Sequence, residues 1–411
     1  MQQAHIILVG SGGQPYRDYA FRSLAGRYRL SALLPADPTW QQPHLQDWRT
    51  ADLTDPDAVT GALKELADDG SAVLTWDETV LEVTAEAAGR LGLHHMSARS
   101  AQRCRDKYLT RRLLDEAGLP AVRHGLAHTA REAEETAARL GFPVVVKPRA
   151  LAGSVGVVRV EEPEAVAAAF ELAGGAGYAT LPNGHGILVE EFLDGPEVSV
   201  DSVVLDGEVS CVQVAAKRLG YAPHFEETGH LVKGWDGTEP WAGEVHALVT
   251  AAHTALGVEA GVTHAEVRLT SRGPRLVELN GRLGGDLIPY AGQLATGVDL
   301  VRAAAAVALR ERPDLTPTRA LTTEVRFVYP PHDGRVAAVS VGRAAELPGV
   351  AHAATLVAPG DTLLLPPRQA IPRLAVLIAE AADEAGCAEV LARALPEVTS
   401  EVVPLSGEPG R

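Results

Sequence analysis

The chain has 411 residues, more than one hydrophobic core usually organises, and its 46% hydrophobic content is ample for two or three domains. Asp plus Glu number 53 against 37 Lys plus Arg, a net charge of −16, which argues against the broad basic surface needed to grip nucleic acid or anionic lipid. Three dispersed cysteines without metal-ligand spacing, and no apolar run near the roughly 18 residues of a membrane span, predict a reduced, soluble, cytoplasmic protein.

In the first hundred residues short apolar runs alternate with helix-like stretches: HIILVG, residues 16–28, LSALLP, residues 57–68, AVLTW and residues 78–91. That order predicts a parallel sheet covered on both faces. The turn GSGGQP tests a dinucleotide site directly, because the third glycine of G-x-G-x-x-G would fall at Pro15. A plain glycine-rich turn is expected there, and a nicotinamide oxidoreductase is disfavoured.

From residue 105 the pattern changes. RDKYLTRRLLDEAGLP reads as a helix ending at Gly118, and residues 129–141 as a second one before the strand FPVVVKP. A glycine-rich loop, ALAGSVGVVRV, and a helix over 163–173 follow. The run from Gly186 to Ala216 reads as consecutive strands with turns at Asp194-Gly195-Pro196 and Asp206-Gly207. Next come a helix over 242–256 and a strand pair turning at 271–274. An Ala-rich stretch, 298–310, leads through ERPDLTPT into a remainder of strands and one helix, and the terminal SGEPGR is expected to fray. The expected domains are 1–104 (α/β, parallel sheet), 105–315 and 316–411 (α+β, mixed or antiparallel sheets).

The segment RLVELNGRLGGD sets Glu278, Asn280 and Arg282 at alternate positions, hence on one face of a strand. Reflection about Arg272 puts Glu266 opposite Glu278, with Cβ atoms about 5 Å apart. Two such carboxylates repel unless a cation sits between them, and with the oxygen of Asn280 the set suits Mg²⁺ rather than zinc. For an isolated hairpin, a solvated polar face is the preferred reading. Upstream, Lys147 ends the strand PVVVKP at the edge of the glycine-rich loop, an arrangement suited to polyphosphate, although such a pair is more often an ordinary turn. Lys107, expected to be exposed on the preceding helix, offers a second ammonium. In LVEEFLDGPE, the Glu191 carbonyl and Leu193 N–H present an acceptor and a donor side by side, matching an adenine edge, and Glu197 can accept from ribose hydroxyls. A buried strand and a DG turn explain that stretch equally well.

Taken together, the helix lysine, strand-Lys-Pro, small-residue loop, EEFLDGPE and HAEVRL…VELNGRLGGD resemble the ATP-grasp superfamily over about residues 105–310. FEETGHLVKG and NGRLGGD are most similar to carboxylate-amine ligases that join amino acids, the bacilysin-synthetase-like L-amino-acid ligases among them. The leading domain looks like a pre-ATP-grasp domain. The resemblance implies that Lys107 and Lys147 hold ATP phosphates under a loop of Gly153, Ser154 and Gly156. Glu190, Glu191 and Leu193 would frame adenine, with Glu197 on ribose. Glu266, Glu278 and Asn280 would hold Mg²⁺, one ion or two, with Mn²⁺ able to substitute. Arg282 would meet the transferred phosphoryl group or a substrate carboxylate, with Gly284 and Gly285 near the acyl phosphate. Lys217 and His230 would shape the amino-acid pocket. Leu151-Ala152 depart from the glycine or serine of many members. A homodimer is a family-level expectation. The alternatives are another ATP-grasp substrate class, biotin-carboxylase-like or purine-pathway, or a non-catalytic ATP-binding protein; no biotin-carrier Met-Lys-Met segment is present.

Overall fold

The apolar runs His5–Val9, Arg29–Leu34 and Ser71–Leu74 lie with Asp47–Thr50 in a four-stranded sheet whose neighbours are all parallel. This is seen in a computed structural model that describes residues 3–405; the SGEPGR tail lies outside them. Parallel neighbours need crossovers, and the helices Gln14–Ala25 and Pro56–Leu66 run between strands, while Leu81–Leu91 follows the last of them. Successive residues of the first strand face opposite ways. Ile6 and Leu8 pack with Phe21 and Leu24, whereas Ile7 and Val9 pack with Val59 and Leu63.

The helix predicted to end at Gly118 is Lys107–Glu116, and a separate helix, Ala98–Arg105, precedes it. Asp106 separates Ala98–Arg105 from Lys107–Glu116 and caps the second, its carboxylate accepting from the Leu109 N–H. Lys107 therefore occupies the first turn, which decides its role below.

Two further sheets form a cleft. His124–Ala127, Ile187–Glu191, Val144–Pro148 and Val158–Val160 make a four-stranded antiparallel sheet backed by the helices Ala130–Leu140 and Val166–Gly175. The second is eight-stranded, in the order 273–280, 261–270, 197–205, 208–220, 226–234, 322–328, 375–381, 350–355. Its last three strands come from the C-terminal quarter, which thus extends the sheet that carries the candidate site. A small sheet of Thr362–Leu363, Gly334–Ser340 and Thr399–Pro404 completes the fold. The Asp206-Gly207 turn takes the left-handed conformation at both residues, φ 52 and 78, as a two-residue hairpin requires.

Glu266 does pair with Glu278, but not through the symmetric turn that reflection about Arg272 assumes. Thr270 pairs with Gly273, a two-residue turn that by itself would set Glu266 against Val277. A bulge between Glu266 and Val267 absorbs Val277 as an extra residue and restores the acidic pair.

One apolar cluster runs from the N-terminal sheet into the eight-stranded sheet, joining Phe21 and Leu24 to Ala291, Val325 and Phe327, and Tyr19 stacks on Tyr290 at 4.9 Å. Among the described residues no helix is long and apolar enough to cross a membrane.

His253 is buried between the helix Ala242–Leu256 and the eight-stranded sheet, with ring nitrogens 2.7 Å from the Val249 carbonyl and the Thr263 hydroxyl. Burial pulls its pKa from 6.5 to about 4, so between those values the unfolded chain binds the proton and the folded one does not. Stability from this group is present above pH 6.5 and is lost as pH falls toward 4, on the order of 3 kcal/mol. Urea midpoints across that window should fall for the native chain and fall less steeply for His253→Gln.

Candidate active site

The cleft between the two antiparallel sheets holds a cavity of about 200 Å³. Its walls include Lys107, Lys147, Gly153, Ser154, Glu190, Glu191, Leu193, Glu197, Glu266, Glu278, Arg282 and Gly285, residues drawn from segments up to 178 positions apart in sequence (285 − 107). Gly156, Lys217, His230, Asn280 and Gly284 are not on the wall.

The centre of the site is a pair of rungs across three strands. Ser199, Glu266 and Glu278 form one, and Asp201, His264 and Asn280 the next. Period two aims these side chains at the cavity side of the sheet. Each acidic residue has its own ammonium: Lys107 Nζ lies 2.9 Å from Glu278, and Lys217 Nζ lies 2.6 Å from Glu266. Burial alone would raise both carboxyls, yet Lys107 draws Glu278 below the usual range, and Lys217 with His264 draws Glu266 well below it. His264 is itself cationic. Burial opposes this, but Asp201, 2.6 Å away, lifts its pKa to about 9. The Asn280 amide donates to Glu278 Oε1 at 2.7 Å. The donor set is all oxygen and stays ionised, a fit for a hard divalent cation such as Mg²⁺.

Lys107 differs from expectation. Its side chain is only 12% exposed, because the first helical turn points at the glycine-rich loop, where Nζ donates to the Leu151 carbonyl at 2.7 Å. Lys147 is buried and paired with Glu190 at 2.6 Å, and Arg111 grips the same carboxylate at 2.6 Å. Burial disfavours the Glu190 charge, but Arg111 and Lys147 hold its pKa down at about 2. The Glu190 side chain is thus committed to fixing Lys147. Glu191 is likewise engaged, by Arg123 at 3.0 Å and Arg272 at 2.9 Å. Glu197 pairs with Arg268 at 2.8 Å and Lys217 at 3.0 Å.

Lys217 does not line the cavity. Its side chain, 1% exposed, sits among Glu197, Glu227 and Glu266, and these three carboxylates hold it charged despite burial. Arg282 stands beyond the strand end at Asn280, ion-paired with Glu78 of the N-terminal domain, so it does not continue the row. The two glycines after it differ. A Cβ at Gly284 would lie 2.9 Å from His264 Nδ1, so only glycine lets this loop approach the His264–Asp201 pair; Gly285 faces the cavity. Arg17 of the first helix donates to the Gly284 carbonyl at 3.3 Å.

Several residues escaped the sequence reading. Asp286, the last letter of NGRLGGD, is left-handed at φ 52, bound by Arg373 at 2.7 and 2.8 Å and by His230 Nε2 at 3.1 Å. Glu227 lies 3.4 Å from the same His230 nitrogen. Glu227, His230 and Asp286 bring donor atoms within 4.8 Å of one another, a second group able to collect a cation. Arg373 and Lys217 pair with its carboxylates, as Lys217 and Lys107 pair with Glu266 and Glu278. His264 was findable, since the alternation that picked out Glu278 and Asn280 also applies to THAE. Arg373 had no local signal.

Residues 140–290 match an ATP-grasp domain, and residues 326–403 match the L-amino acid ligase C-terminal domain 2. Phosphoribosylamine–glycine ligase of Caulobacter vibrioides is 30% identical over 303 residues, 69% of this chain and 68% of its own length. The chain belongs to the ATP-grasp superfamily. Alanine–anticapsin ligase of Bacillus subtilis is 27% identical over 252 residues, 56% of this chain and 52% of its own. An L-amino acid ligase structure from Bacillus licheniformis superposes with a TM-score of 0.83 over 98% of this chain and 100% of that one, at 20% identity, so this ATP-grasp chain shares its whole fold.

The buried triad predicts a large penalty for breaking it. Glu190→Ala would leave Arg111 and Lys147 as unpaired buried cations, and the loss should be about 3–5 kcal/mol by urea denaturation.

Proposed function

We propose that this ATP-grasp chain is a carboxylate-amine ligase that joins two amino acids through an acyl phosphate, releasing ADP and phosphate. The single observation that supports this best is the ionised Glu266–Glu278 pair facing Lys107 and Lys147 across a cleft roofed by a glycine-rich loop. A carboxylate is a poor electrophile, because its carbon is electron-rich and its leaving group would be oxide. Phosphorylation by ATP gives a carbonyl that an amine can attack.

In this reading Lys107 and Lys147 bind the phosphates, and Gly153, Ser154 and Gly156 belong to the loop that closes over them and excludes water. The Glu191 carbonyl and Leu193 N–H frame adenine, Glu190 holds Lys147 in place, and Glu197 takes the ribose. Glu266, Glu278 and Asn280 would hold Mg²⁺, for which Mn²⁺ can substitute. When bound, that ion supplies charge neutralisation between β- and γ-phosphate oxygens. Arg282 stabilises the oxygens of the group in transfer, and Gly285 lets backbone approach the acyl phosphate. Lys217 keeps Glu197 and Glu266 ionised. His230 and Asp286 belong to the amino-acid end. Domains at 1–104, 105–315 and 316–411, a cytoplasmic setting and a homodimer are parts of the same proposal.

The purine-pathway reading is favoured by the likeness to phosphoribosylamine–glycine ligase. Against it stands the match at residues 326–403 to an L-amino acid ligase C-terminal domain, a segment that contains Arg373, which lines the cavity.

A matrix of amino-acid pairs incubated with ATP and Mg²⁺ should show ADP release that requires both amino acids. AMP and pyrophosphate as products, or ADP release driven by bicarbonate alone, would exclude the reading. Glu278→Ala should reduce turnover on the order of 100-fold or more while the far-ultraviolet circular dichroism stays native.

A further inference from the structure

Beside the active cavity, and sharing no wall with Lys147, Glu190 or Leu193, lies a second cavity of about 610 Å³. The two share the lining residues Ser154, Val155, Val157, Tyr178, Phe225, Glu226 and Ile371. Its rim includes the exposed residues Gly177 and Pro367, so it opens to solvent. Its floor is pinned: Val158 bridges to His224, and the Arg159 N–H donates to the Pro223 carbonyl at 3.0 Å.

Ile371 stands at the junction with φ +58, a left-handed conformation that is a genuine outlier for a β-branched residue. Such backbone survives where its surroundings over-determine it. Here the Ile371 N–H donates to Glu226 at 3.3 Å, Glu226 accepts from the Tyr329 hydroxyl at 2.7 Å, and the Ile371 carbonyl accepts from the Arg373 N–H at 2.9 Å. A Cβ placed on Gly153 would lie 3.2 Å from Ile371 Cδ1, so this side chain reaches the glycine-rich loop.

The geometry points to the second cavity as the pocket for the side chain of the amine-donating amino acid, a bulky apolar one, with Ile371 as the residue that sets its size. This rests on the ligase reading above. The phosphorylated carboxylate has to form beside Glu278 and Arg282, neither of which borders the second cavity. The second cavity shares Ile371 but neither Lys147 nor Glu190 with the active cavity, and its exposed rim suits entry of a second substrate. Leu172, Tyr178, Phe225 and Pro366 supply an apolar lining.

The test is kcat/KM for phenylalanine and tryptophan against alanine as amine donors, with the carboxylate partner fixed, then the same comparison with the roles exchanged. Ile371→Gly suits the left-handed backbone, so its melting temperature should not fall, and it should raise the aromatic-to-alanine ratio for the amine donor about tenfold. Gly177→Trp, at a position where a Cβ meets nothing within 4 Å, should lower that ratio. The KM for ATP should not move in Gly177→Trp, whose position is not on the wall of the active cavity. A constant ratio in both variants, or a change confined to the carboxylate donor, would overturn the assignment and leave the ligase reading standing. If no pair of amino acids drives ADP release by the unsubstituted protein, both fall.

Discussion

Two carboxylates made to face each other across a β-hairpin, Glu266 and Glu278, are the constraint on which the rest of this site depends. In a cleft of low dielectric their repulsion is severe unless cations intervene. The chain answers with one lysine for each, Lys107 from the first turn of a helix and Lys217 from strand 208–220, two strands away from Glu266. Buried pairs of this kind add little net stability, because desolvation offsets their attraction. A concentration of ionised groups held in one cleft is instead what a site for polyphosphate and metal requires.

The surrounding fold reads as a means of fixing those charges. Arg111 and Lys147 share Glu190, so Lys147 is anchored to the helix that also carries Lys107. Arg282 reaches Glu78, and Arg17 reaches the Gly284 carbonyl, which ties the N-terminal domain to the glycine pair. From the opposite side Arg373, stacked 3.6 Å over Phe327, clamps Asp286. Three regions far apart in sequence therefore meet at one loop. The Asp286–Leu287 step, left-handed at both residues, is held by that convergence.

What was legible in the sequence was local and periodic. Alternation within RLVELN placed Glu278 and Asn280 on one face, and the turn residues placed Glu266 opposite, although a bulge at Val277 rather than a symmetric turn produced the register. The parallel N-terminal sheet followed from its strand–helix order. Lys107 was misread as exposed because helical position alone does not reveal that Asp106 starts the helix there and turns the side chain under the loop. Arg17, Arg373 and Ile371 were silent because their meaning comes from contacts more than 80 residues away in sequence, for which no spacing rule exists (Arg373–Asp286 spans 87).

Anomalous diffraction from crystals grown with Mn²⁺ and a non-hydrolysable ATP analogue would test the central claim most directly. The predicted result is a metal peak between the Glu266 and Glu278 carboxylates, with the triphosphate against Lys107 and Lys147. A peak in the Glu227–His230–Asp286 cluster instead, with both lysine–glutamate pairs intact, would contradict it.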